Sequence, residues 1–254
     1  MDISAVIIVK NGAKTIKKCL IALKEFSEVI VYDNGSSDGT QDIVKKFANV
    51  RLIEGEFLGF GPTKNKASSY AKNPWILILD CDEVLDPTLV ETLKTKKLDN
   101  SFVYKLNFNT YYRDKQIKYC GWSNQKIKRL YNKSKTKIND NFVHENIISK
   151  GFKLEVLKGN VKHYSYHEIS NFLQKIDVYS SLFAKENAGK RKSSPLKAIS
   201  SSLFAFFRTF ILRKGFLDGF EGLIISFSSS TVVFFKYMKL CELNKDIKNG
   251  KNKH

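Results

Sequence analysis

Apolar residues come in short, dense runs through the first hundred positions. Ile3–Val9, Val29–Tyr32, Val50–Ile53 and Trp75–Leu79 are rich in β-branched side chains and lack the alternation of a half-exposed strand. Runs of this kind predict parallel strands buried on both faces. Between them the spacing changes to that of helices. Lys14–Phe26 carries Ile16, Leu20 and Leu23 on one stripe, Gln41–Phe47 follows Thr40 as a cap, and Pro87–Lys96 is a further helix. A β-α-β-α-β-α-β alternation predicts a mostly parallel sheet covered by helices, with ligands bound beyond the carboxyl ends of the strands. Lys10-Asn11, Asp33–Asp38 and Asp80–Glu83 all fall at those ends.

After residue 100 the pattern changes. Phe102–Asn109 alternates like a strand, Tyr111–Trp122 is aromatic and polar, and Asn160–Tyr166 is a further strand candidate. From about residue 168 the chain reads as helices. The organisation expected is an α/β domain over 1–168, an amphipathic helical region over 169–243 and a disordered basic tail over 244–254.

Charge sharpens this division. The 254 residues hold 43 Lys and Arg against 25 Asp and Glu, a formal charge of +18. Residues 1–100 hold 14 of each sign, so the whole excess lies after residue 100. A neutral α/β start joined to a basic remainder suits a protein whose second half meets something anionic. A hydrophobic fraction of 43% excludes a largely disordered chain. Cys19, Cys81, Cys120 and Cys241 form no C-x-x-C pair and no zinc spacing, as expected of reduced thiols in the cytoplasm. Met1-Asp2 opens directly into a strand without a secretory signal, and no run reaches the ~18 consecutive apolar residues of a membrane span.

The strongest chemical signal is Asp80-Cys81-Asp82, at the end of an apolar strand. In an extended segment the two carboxylates share one face, which suits a hard divalent cation with phosphate oxygens completing its shell. Asp33, also at a strand's end, can accept from a nucleobase N–H or a ribose hydroxyl. In Gly59-Phe60-Gly61-Pro62-Thr63-Lys64-Asn65, Lys64 falls in a helix's first turn, where a cation and free N–H groups suit a diphosphate. Glu145 could serve as a general base and His163 could ligate a metal. No G-x-S-x-G elbow, G-x-G-x-x-G or G-x-x-x-x-G-K-[ST] is present, which removes serine hydrolase, Rossmann and P-loop readings.

These residues carry a resemblance. "SAVIIVKNGAKTIKKCLIAL", "EVIVYDNGSSDGTQDIVKKF", "GFGPTKNKA" and "WILILDCDEVL" resemble the family 2 glycosyltransferases of the GT-A fold. "YCGW", "RLYN", "VHE", "HYSYH" and "GFLDGFEGL" resemble the bacterial lipopolysaccharide-core β-1,4-glucosyltransferases within it. The resemblance implies inverting transfer of a hexose, usually glucose, from a UDP-sugar. It implies that Val9, Asn11 and Asp33 meet the uracil and ribose, and that Lys64 stands near the base and diphosphate. Asp80 would face the ribose or metal, Asp82 would ligate Mg²⁺ or Mn²⁺, and Glu145 matches the catalytic base. His163 matches a metal-binding histidine, with His167 as a second candidate. A different acceptor, such as a lipid phosphate, a capsule or a protein glycan, would use the same donor fold.

Eleven of the 19 Phe residues follow position 170. Ile199, Leu203, Phe206, Phe207, Phe210 and Ile211 form one helical stripe, with Lys190, Arg191, Lys192, Lys197, Arg208, Arg213 and Lys214 around it. Basic residues beside an apolar stripe suit a helix in the interface of an anionic membrane. The expected partners are a nucleotide-sugar donor, an anionic glycolipid acceptor and the inner face of the cytoplasmic membrane. The basic charge also offers a nucleic-acid-binding protein as the alternative class; it is disfavoured because no RNA- or DNA-binding module signature is present, so nucleic acid is not among the expected partners.

Overall fold

The computed structural model describes residues 2–141, 145–166 and 168–249. It divides into two compact units, residues 1–109 with 124–164, and residues 110–123 with 165–254. In the first unit, β1 (Ile3–Val9), β2 (Glu28–Asp33), β3 (Val50–Glu54) and β4 (Trp75–Asp80) pair in parallel. β5 (Glu83–Leu85), β6 (Phe102–Tyr112), β7 (Lys115–Gln116), β8 (Gln125–Asn132) and β9 (Lys153–Tyr166) follow in the chain. The sheet order is β3-β2-β1-β4-β8-β6-β9-β5, with β7 paired to the end of β6. The helices of this unit are α1 (Ile16–Ala22), α2 (Thr40–Val44), α3 (Phe60–Ser69) and α4 (Pro87–Thr95).

All seven residues of β1 are buried, which accounts for its unbroken apolar run: it lies between β2 and β4 with both faces covered. Its register sets Val9 against Asp33 and Ile8 against Asp80, so the carboxylates ending β2 and β4 reach the same sheet edge. Beyond β4 the pairing becomes antiparallel, through β8 to β6. The β6–β8 ladder steps from Tyr104–Leu130 to Lys105–Lys128, leaving Arg129 as the extra residue of a bulge. Such bulges re-aim a side chain.

The second unit holds α5 (Ile169–Asn187), α6 (Pro195–Phe207) and α7 (Phe220–Lys248), with a π-helical turn at Arg208–Leu212 and a 3₁₀ turn at Gly215–Asp218. Segment 110–123 belongs with these helices, not with residues 1–168 as expected. The reason is Asp218, buried, whose carboxylate accepts from the Lys118 and Tyr119 N–H groups at 3.1 and 2.8 Å. Cys120 N–H also donates to the Arg213 carbonyl at 3.1 Å. At Gly222 an added Cβ would lie 1.8 Å from the Gly215 carbonyl oxygen, so only glycine permits that approach.

Three local expectations need correction. Thr40 does not cap α2 from outside; it is the first helical residue behind Gly39. Its hydroxyl instead accepts from Gly12 N–H at 2.9 Å and donates to Asp38. Lys64 lies beyond the first turn, because α3 starts at Phe60 behind Gly59, whose φ of 99° glycine readily adopts. The tail expected from residue 244 is helical as far as Lys248, since α7 continues without a break.

Candidate active site

Asp33 is fully buried at the end of β2. Its Oδ1 accepts from Gly35 N–H, Ser36 N–H and Gln41 Nε2 at 3.0, 2.9 and 3.1 Å, while Oδ2 has no partner among the described residues. Burial works against its charge, but these donors, Ser36 foremost, outweigh it and keep its pKa below the usual value. The result is a preorganised carboxylate with one spare acceptor oxygen. Such an oxygen fits a hydroxyl or N–H donor from a ligand.

Val9 and Asn11 hold this turn. Val9 is packed in the core, and its carbonyl accepts from Asn34 N–H at 2.8 Å. Asn11, at φ 56°, accepts from Ser37 N–H through Oδ1 at 2.9 Å and donates its own N–H to Ser36 Oγ at 2.8 Å. Both are therefore occupied in shaping the wall beside Asp33.

A chain of charges lies at the end of β4. Lys64 Nζ, 2% exposed, contacts Asp80 Oδ1 at 2.9 Å and Glu145 Oε1 at 2.7 Å. Asp80 Oδ2 in turn meets Arg129 Nη2 at 3.1 Å, and Arg129 also holds the buried Glu83. Glu83 accepts from Asp80 N–H at 3.0 Å. Burial raises Glu83 to about 7 against the pull of Arg129. Burial also opposes ionisation of Asp80, but Lys64 and Arg129 overcome it and hold Asp80 far below the carboxylate range. For Lys64, burial is outweighed by Asp80 and Glu145, and its pKa is raised. Asp80, Lys64 and Arg129 are thus fixed as ions by one another.

Glu145 is placed by a loop fastened to α3. Asn65 donates to the Ile138 carbonyl and accepts from Ile138 N–H, at 2.7 and 3.0 Å. Gly61 N–H donates to the Asn141 carbonyl at 3.1 Å, and an added Cβ there would sit 2.1 Å from Asn139 O. A bridge between Ile138 and Ile147 closes the loop. Lys64 then reaches Glu145 from the same helix that anchors the loop.

Asp80 and Asp82 do not share partners, contrary to the expectation of two carboxylates on one face. β4 ends at Asp80 and Cys81-Asp82 form a turn, so strand alternation does not carry through. Asp82 instead meets His163, with Oδ2 3.4 Å from Nε2. The β5–β9 pairing creates this contact: Glu83 lies opposite His163, and Tyr164 N–H donates to the Asp82 carbonyl at 2.9 Å. Burial lowers the proton affinity of His163, but the hydrogen bond and charge of Asp82 raise it further. A carboxylate and an imidazole, both partly exposed, are a donor set that fits a divalent cation. Among the described residues no third His, Cys, Asp or Glu joins them. His167 lies outside the described residues.

The cleft beside this network has a volume of about 390 Å³ and is lined by Lys64, Arg129 and Glu145 among others. Sequence reasoning missed Arg129 and Glu83. Glu83 adjoins the Asp80–Asp82 motif but gave no sign of burial, and Arg129 is aimed inward only by the bulge.

The sequence profile of the family described as "Glycosyl transferase family 2" matches residues 4–153, more than half of the chain. The chain belongs to this family. Its sheet and flanking helices are those of the GT-A fold. An "uncharacterized glycosyltransferase" of Rickettsia felis is 28% identical, over 98% of this chain and 92% of its own length. The Rhizobium meliloti "lipopolysaccharide core biosynthesis glycosyltransferase LpsC" is 23% identical, over 97% of each chain. The crystal structure of S. aureus TarS 1–349 in complex with UDP-GlcNAc matches with a TM-score of 0.47 at 14% identity, covering 100% of this chain and 93% of that one.

Proposed function

We propose that this glycosyltransferase moves a hexose, glucose by resemblance, from a UDP-sugar to a lipopolysaccharide or lipooligosaccharide core acceptor with inversion. Family membership supports the nucleotide-sugar donor. The name of the Rhizobium relative supports the acceptor class. The observation that carries the chemistry is Glu145, a carboxylate in the cleft with Oε1 held by Lys64 and Oε2 without a hydrogen bond among the described residues.

Asp33 Oδ2 accepts a hydrogen bond from the nucleoside. Asp82 and His163 would hold Mg²⁺ or Mn²⁺, which when bound supplies charge neutralisation for the departing diphosphate. Asp80, tied to Lys64 and Arg129, keeps both cations beside the reacting centre. Glu145 Oε2 takes the proton of the acceptor hydroxyl as its oxygen bonds to the anomeric carbon. The bond from that carbon to the diphosphate oxygen breaks on the opposite face, and its electron pair leaves with UDP. Lys64 keeps Glu145 oriented through the contact to Oε1.

The second unit supports membrane contact. Leu196, Leu203, Phe204, Phe220 and Phe227 are each more than half exposed, and Lys190, Lys192, Lys197, Arg208 and Lys214 are exposed as well. Residues 195–212 and 220–248 are long and apolar enough to cross a membrane by length and composition. The basic residues favour a position at an anionic surface, the inner face of the cytoplasmic membrane.

UDP release with a panel of nucleotide sugars tests the reading. Glu145→Gln should lower turnover about 10²–10⁴-fold with UDP binding retained, and excess EDTA should abolish wild-type turnover until Mg²⁺ or Mn²⁺ is restored. Near-normal turnover of the variant refutes the base, and turnover in EDTA refutes the metal.

A further inference from the structure

The cleft beside Glu145 has a wall that the reaction above leaves unused. Lys105, Lys126 and Lys128 line it, together with Ile127, Ile138 and Ile147. Lys105 on β6 stands directly opposite Lys128 on β8, and Lys126 follows two positions along the same strand. Like charges in directly opposed positions of a ladder destabilise it. Lys128 Nζ is fixed by the Ile147 carbonyl at 2.7 Å and Ser149 Oγ at 2.9 Å, neither of which neutralises it. Lys105 and Lys126 have no carboxylate partner among the described residues, and the one carboxylate lining the cleft, Glu145, is bound to Lys64. Burial and then the charge of Lys105 lower the proton affinity of Lys128, as expected where positive potential is uncompensated.

Position assigns this potential to the acceptor. Across the sheet, Asp33 ends β2, Asp80 ends β4 two strands further on, and the lysines follow on β8 and β6. The nucleoside end of the cleft and the lysine wall are therefore separated by the Asp80–Lys64–Glu145 chain. We propose that Lys105, Lys126 and Lys128 form a subsite for an oxyanion, phosphate or carboxylate, carried by the acceptor sugar next to the hydroxyl that is glycosylated. This rests on the transferase reading and on Glu145 as base. Such a subsite aligns the hydroxyl with Glu145 and rejects neutral sugars, whose binding leaves the lysines uncompensated.

Calorimetric titration tests it with three probes, glucose 6-phosphate, glucuronate and glucose, on the full chain saturated with UDP and Mg²⁺. Wild type should bind at least one charged sugar about tenfold or more tightly than glucose, a difference of 1.4 kcal/mol. The stronger of the two charged probes identifies phosphate or carboxylate as the group read. Lys105→Ala/Lys126→Ala should lose the preference with UDP affinity unchanged, and Lys105→Arg/Lys126→Arg should keep it. The proposal is overturned by equal binding of all three sugars, or by a preference that survives in the alanine pair. It is also overturned by a preference lost in the arginine pair, or by UDP affinity falling with the lysines, which would place the donor diphosphate there. Failure of wild type to bind UDP overturns the transferase reading itself; loss of sugar preference with UDP binding intact overturns the subsite alone.

Discussion

Replacing Arg129 with Met tests how the site's charge chain is held together. The guanidinium contacts Asp80 at 3.1 Å and holds Glu83, which is fully buried. Asp80 side chain is 37% exposed and keeps Lys64 at 2.9 Å, so water and Lys64 can satisfy it after the substitution. Glu83 has no such recourse. It retains the Asp80 N–H at 3.0 Å but loses its counter-charge in a site closed to water. A stranded Glu83 can take up a proton instead, which at pH 9, two units above the value of about 7 to which it is raised, costs about 2.7 kcal/mol, so at that pH the loss is about 2–3 kcal/mol. For a chain of this size that corresponds to a melting temperature lower by about 4–12 °C. Adding Glu83→Gln removes the stranded charge while keeping an acceptor for the Asp80 N–H. The double variant should therefore recover to within about 1 kcal/mol of wild type, because exchanging both partners of a buried pair is often near neutral. Thermal unfolding at pH 9 followed by circular dichroism measures all four members of the cycle, including Glu83→Gln alone, which strands Arg129 instead. A loss below about 1 kcal/mol for Arg129→Met, or no recovery in the double variant, refutes a buried pair that sustains the site.

Two further outcomes follow from packing and surface chemistry. Gly61→Ala would drive a Cβ to 2.1 Å from the Asn139 carbonyl and displace the loop carrying Glu145; turnover should fall by about tenfold or more with UDP affinity kept, since a misplaced catalytic group costs rate. Unchanged turnover would show that the loop is not what positions Glu145. In flotation with anionic vesicles, wild type should bind in a salt-sensitive manner, and Leu203→Ser/Phe204→Ser, at side chains 66% and 59% exposed, should bind at least about tenfold less with unchanged melting temperature. Absence of vesicle binding by wild type would sink the membrane assignment.

The parallel half of the sheet was legible from residue order. A strand buried on both faces must be apolar throughout, so β1, β2 and β4 declared themselves, and the polar residues that ended them declared the ligand edge. Asp33, Lys64, Asp80 and Glu145 were all legible as candidates, as were Asp82 and His163. Their partnerships were not. Alternation suggested that Asp80 and Asp82 act together, but the turn after Asp80 sends one to Lys64 and Arg129 and the other to His163. Lys64 looked like a free cation for a diphosphate, and its burial between two carboxylates could not be read from its neighbours in the chain.

What the sequence by itself determined was local: where strands are wholly buried, where helices run, which residue types end the strands, and that the positive excess lies after residue 100. The tertiary structure decided which charges meet. Arg129 reaches Asp80 and Glu83 because a bulge on β8 adds one residue, and Lys105 faces Lys128 because the same step resets the register. Contacts over separations such as the 81 residues between Lys64 and Glu145 leave no periodic trace in the chain. Periodicity reports only which face of an element is buried; pairing and register between elements determine which side chains share a site.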